Sequence, residues 1–172
     1  MSAALRSQVA FLLVVVLAAG CSSARVFQTS GPITPLEGVA EVLVVVDEDS
    51  LPNKNLSYYR SNSMSGAIRS ALVKELKKRG KLNNRDVTLE FKVTDFRLRT
   101  GSQVFWFGVM AGSDYLAGTV TVSDETGVLK TFDASAKGLE SLWSGLALFR
   151  LTAGRRADVF CKMIAKKVVK QL

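Results

Sequence analysis

Histidine is missing from all 172 residues, and cysteine occurs only at Cys21 and Cys161. Without an imidazole the chain cannot assemble a Ser-His-Asp triad, a Cys-His pair or a His-bearing zinc site. Its two cysteines lie too far apart in sequence for a C-x-x-C redox pair. Acid is also in short supply, with 15 Asp and Glu against 23 Lys and Arg, which leaves a net charge of +8. What is present is apolar: 48% of the residues are hydrophobic and 22% are charged, enough to build a packed core and too much for wholesale disorder. The length fits one domain.

Residues 1–20 stand apart from that domain. Arg6 and the amino terminus make a short positive region, and an apolar run from Val9 to Ala19 follows it with no acid before Cys21. The run is shorter than the roughly 20 residues a helix needs to cross a hydrocarbon core, and it matches the apolar region of a signal peptide. Small residues then lead into a cysteine, Leu17-Ala18-Ala19-Gly20-Cys21, which resembles the lipobox of bacterial lipoprotein precursors. The resemblance implies cleavage before Cys21, a diacylglycerol on its sulfur and an N-acyl chain on its new amino group. With Ser22 and Ser23 next, and no Asp, it also implies sorting to the periplasmic face of the outer membrane. At about 0.8 kcal/mol per buried methylene, two or three such chains hold a protein on a membrane. Cys161 would then be the one thiol left, so no internal disulfide forms. Residues 22–38, with Pro32, Pro35 and little periodicity, read as part of a lipidated tether over 21–38 that lifts the domain, 39–172, off the bilayer.

Within the domain, residues 40–46 form a near-continuous β-branched run, which predicts a strand buried on both faces and central in its sheet. Ser61 or Ser63 is placed to cap a helix through its side-chain oxygen. Met64, Ala67, Ile68, Ala71, Leu72 and Leu76 then repeat at helical spacing, and Gly80 supplies a left-handed stop. Residues 86–99 alternate as a strand whose phase slips at Asp95, the signature of a bulge. Residues 115–123 and 128–136 form two further strands, with Asp124 and Gly127 in the turn between them. Leu139, Leu142, Trp143, Leu146 and Phe149 suggest a loop with helical turns, interrupted by Gly138 and Gly145. Residues 156–172 carry a stripe of Phe160, Ile164, Val168 and Leu172. The order β-α-β-β-β-α predicts an α+β fold: a mainly antiparallel sheet of about four strands with two amphipathic helices on one face.

The strand Val93-Thr94-Asp95-Phe96-Arg97, the patch Phe107-Gly108-Val109-Met110-Ala111-Gly112 and the turn with Asp124 and Gly127 are similar to the DUF4410 family of bacterial lipoproteins. That likeness covers most of the domain and implies an envelope address. The family is defined without an established activity, so it supplies no catalytic residue.

Two features are candidates for binding. Phe105, Trp106 and Phe107 run into Gly108 and Gly112, which suits a tip that touches a membrane or a partner, or else a segment packed beneath the sheet. Lys74, Lys77 and Lys78 on one predicted helix, and Lys162, Lys166 and Lys170 on the other, would share one positive face if the helices lie side by side. Such a face suits anionic headgroups or an acidic partner, or simply keeps the domain dispersed. Asp47-Glu48-Asp49 lacks the spacing of a calcium loop, and a solvated loop is the plainer reading. Asp95, Asp114, Asp124 and Asp133 offer no arguable acid-base pair. Cys161 beside Phe160 reads as a buried, inert thiol.

The expectation is a non-enzymatic binding or assembly module of the cell envelope, with no cofactor beyond the acyl chains on Cys21. Its partners would be membrane lipid and another envelope component, and not nucleic acid. An envelope hydrolase using serine or carboxylate chemistry, and a subunit of an oligomeric export assembly, are the alternatives.

Overall fold

The computed structural model describes residues 24–30, 36, 38–83, 86–99, 113–137 and 153–172. Among these residues five strands make one sheet: β1 (Ala24–Ser30), β2 (Glu41–Val46), β3 (Thr88–Arg97), β4 (Tyr115–Asp124) and β5 (Gly127–Lys137). Among the described residues three helices accompany them, α1 (Asn53–Ser61), α2 (Met64–Lys78) and α3 (Ala153–Gln171). Across the sheet the order is β1-β5-β4-β3-β2, with every neighbouring pair antiparallel except β2 and β3. The fold is α+β, as predicted.

Alternation sets the core. Leu89, Phe91 and Val93 of β3 are fully enclosed while Lys92 between them is exposed. The register against β4 shifts between Val93 and Asp95, the expected bulge, and Phe96 and Leu98 regain the buried side beyond it. Gly127 closes the β4–β5 turn at φ 138°, and Asp124 accepts hydrogen bonds there from the Thr126 hydroxyl and from the amides of Thr126 and Gly127. Those bonds, the hydroxyl's foremost, hold the Asp124 carboxyl below its usual range.

β2 departs from expectation. It lies at the edge of the sheet, parallel to β3, with Val42 in the core and Leu43 and Val45 38% and 42% exposed. Its apolar run reflects membership of a β-α-β crossover, whose helices cover only one face of the sheet. The assignment of 22–38 to a tether is corrected as well. Ala24–Ser30 is β1, hydrogen-bonded to β5 with Ala24 opposite Ala136. An outer strand of this kind is held by its neighbour's free backbone groups, which leave little periodicity to read.

α1 was absent from the expected order. It buries only Tyr59, whose ring meets Phe96 edge-on at 5.3 Å between centroids. Ser63 does occupy the N-cap of α2, but in the left-handed conformation (φ 50°) and without a side-chain cap bond. Ser61 donates instead to the carbonyl of Tyr58. The left-handed residue turns α1 directly into α2, and that geometry displaces the expected capping oxygen. At the other end Gly80, at φ 65°, stops α2 as predicted.

α2 and α3 cover the inner face of the sheet. Ile68, Leu72 and Leu76 of α2, and Ile164 and Val168 of α3, are enclosed together with Phe91, Val120 and Phe132. Each helix begins at the end of the sheet where β1 begins and finishes where β5 begins. The Val39 amide, just ahead of β2, donates to the Lys81 carbonyl beyond α2 at 2.8 Å. Buried Lys130, near the start of β5, donates from Nζ to the Gln171 carbonyl at 2.6 Å and thereby caps α3. The two helices are therefore parallel neighbours.

Candidate functional site: a basic groove between two parallel helices

Side chains four residues apart share one face of a helix. Lys74 and Lys78 form such a pair on α2, and Lys162 and Lys166 form another on α3. Because the helices pack side by side, the two pairs face each other across a groove of about 510 Å³. Its floor is small and apolar: Cys161 and Ala165 are buried, and Ala67 and Ala71 are half-buried. The four lysines are exposed, and among the described residues none of them enters an ion pair. Glu75 and Asp158 also line the groove, but Glu75 is engaged by Arg79 Nε at 2.8 Å. Four ammonium groups thus meet one carboxylate, Asp158, that has no ion pair among the described residues, and the groove suits an anion with an apolar side.

Cys161 offers no chemistry there. Burial, helped by Asp158, pushes its thiol up to about 12, so the nucleophilic thiolate does not form near neutral pH. Tyr59, hydrogen-bonded to Ser65, is likewise raised to about 12 by burial.

Four of the six predicted basic residues therefore come together. Lys77 and Lys170 are exposed but do not line the groove. Phe105, Trp106, Phe107, Gly108 and Gly112 lie outside the described residues, as do Cys21 and the segment with Trp143. The acidic run is spent on surface pairs: Asp47 Oδ2 meets Lys92 Nζ at 2.9 Å, and Glu48 meets Arg60. The hydrogen bond and charge of Asp47 raise the Lys92 ammonium above its usual range. Asp133 accepts from the Thr119 hydroxyl at 2.7 Å, so the predicted aspartates are scattered over separate roles.

Sequence reasoning missed one cluster entirely. Asp114, 1% exposed, lies between two buried arginines. Its Oδ1 accepts from the amide and Nε of Arg99 at 2.8 and 3.1 Å, and its Oδ2 from Arg156 Nη1 at 3.1 Å. Arg156 Nη2 also donates to the Arg99 carbonyl, while its buried Nε has no partner among the described residues. The cluster ties the ends of β3 and β4 to the opening turn of α3. The triad thereby fixes these three segments to one another.

No family model matches the chain, and no curated protein does. Among solved structures it is similar to two PelC dodecamers from Paraburkholderia phytofirmans. One, a point variant, is 17% identical with a TM-score of 0.47, covering 83% of this chain and 96% of that one. The other is 16% identical with a TM-score of 0.46, covering 86% and 98%. At that level of similarity this chain's own residues carry the functional reading.

Proposed function

We propose that the chain is a lipid-anchored, non-enzymatic binding module of the bacterial cell envelope, which offers the α2–α3 groove to an anionic partner. The groove is the observation that carries this reading, since its four lysines have no counter-charge of their own among the described residues beyond Asp158. The anchor is supported by the signal-like run and small residues leading into Cys21. With β1 starting at Ala24, two residues, Ser22 and Ser23, would separate acylated Cys21 from the sheet, a reach of about 10 Å. The end of the domain where β1, α2 and α3 begin would then rest close to the bilayer, and the groove would run away from it. Mass spectrometry of the chain made in a Gram-negative host is expected to find a triacylated Cys21 at the mature amino terminus. Cys21→Ser is expected to move the protein out of the membrane fraction. An unmodified Cys21 thiol would sink the anchor.

A second reading, a subunit of an envelope assembly, is favoured by Leu43 and Val45 on edge strand β2. Light scattering in mild detergent is expected to show a multimer that the double change Leu43→Lys, Val45→Lys reduces to monomer. A monomeric mass for the unaltered chain would remove this reading.

A further inference from the structure

We infer that the occupant of the α2–α3 groove is an amphipathic α-helix of a partner protein, carrying a small apolar seam flanked by acidic residues. The inference rests on the binding reading above and specifies its partner. Three features of the groove select a helix. First, its floor is made of short side chains, Ala67, Ala71, Cys161 and Ala165, which let another element approach the two helices closely. Second, apart from the exposed Ser70 hydroxyl, the small residues between the lysines, Ala67, Ala71, Cys161 and Ala165, offer main-chain groups only apolar side chains and a buried thiol. An extended peptide laid there would leave N–H and C=O groups facing apolar carbon, whereas a helix satisfies its own. Third, charge runs along both rims. At about 1.5 Å of rise per residue, Lys74 and Lys78 are about 6 Å apart along α2, and Lys162 and Lys166 are spaced likewise along α3. Glutamates at four-residue spacing on both sides of an apolar seam repeat that interval, the arrangement by which flanking charges select partners beside a helical seam.

A bilayer fits less well. Its headgroup surface reaches the exposed lysines but cannot enter the concavity, so the alanine floor would stay uncovered. Flexible acidic polymers neutralise the rims and gain nothing from the floor. The helix alone uses both.

The test is a titration of the full chain with a synthetic, side-chain-stapled helix bearing an Ala/Leu seam and Glu flanks. The comparators are the same helix with Lys flanks, a scrambled isomer without the seam, poly-glutamate, and vesicles containing phosphatidylglycerol. The acidic helix is expected to bind at least about tenfold more tightly than poly-glutamate or the scrambled isomer, and the Lys-flanked helix not to bind. The double change Lys162→Glu, Lys166→Glu, on exposed positions, is expected to weaken binding at least about tenfold while circular dichroism and the melting temperature stay unchanged. Ala71→Phe, which fills the floor and keeps every charge, is expected to weaken the stapled helix and leave poly-glutamate unaffected. If poly-glutamate or vesicles bind as tightly as the helix, the helical occupant is wrong while the anion-binding reading stands. If none of the anions binds, both fall.

Discussion

Asp114→Ala is expected to lower unfolding stability by about 3–5 kcal/mol, read as the shift in a urea denaturation curve. The carboxylate is buried between Arg99 and Arg156 and accepts three hydrogen bonds from them. Its removal takes from both guanidinium groups the buried Asp114 charge that helps offset their desolvation. Arg156 also occupies the opening turn of α3, where the helix dipole disfavours a cation. The reverse deletion should be milder. Arg156→Met leaves the Arg99 guanidinium facing the Asp114 carboxylate, keeps the buried stem volume and removes an Nε donor that has no partner among the described residues. The order of the two losses is the diagnostic result. An Asp114→Ala protein that unfolds within about 1 kcal/mol of the parent would mean the triad carries no such weight.

Gly118→Ala is the second large effect expected. Gly118 lies in the middle of β4, opposite Val93 of β3 and Ala134 of β5, on the buried side of the sheet. A methyl group there would come within 2.4 Å of the Lys92 carbonyl oxygen and 2.8 Å of Phe91 Cζ. The first contact is with main chain that is itself hydrogen-bonded into the sheet, so it cannot swing aside. Strands tolerate glycine at such points of close backbone approach, with an aromatic ring covering the bare position. The loss should reach or exceed the upper end of the about 1–3 kcal/mol usual for overpacking. Phe91→Leu placed on top of Gly118→Ala should recover little, because it relieves the ring and leaves the carbonyl. Full recovery by that second change would show that the ring alone is the obstacle.

How far these features could be read from residues depends on the range of the forces behind them. The bulge at Asp95 was legible because a strand with one buried face announces a slipped phase in its own side chains. The basic groove was half legible: Lys74 with Lys78, and Lys162 with Lys166, follow from helical spacing, whereas their meeting requires the two helices to be neighbours. β2 misled because an apolar run marks burial without saying how many faces are covered, and Leu43 and Val45 prove to face outward. β1 was invisible, since its partner's main chain specifies it. The Arg99–Asp114–Arg156 triad joins residues 15 and 42 positions apart, and no local pattern encodes such a meeting.

The pairing of β1 with β5 also sets an order of events for a chain made from its amino end. The residues that pair across β1 and β5, from Ser30 with Thr131 to Ala24 with Ala136, stand more than a hundred positions apart, so the first strand is made well before the segment that will bond to it. A nascent chain must therefore keep that strand unpaired through most of synthesis, and the sheet closes only after its fifth member is free. Such a delay exposes the early strand to chaperones and to any translocation machinery that requires an unfolded passenger.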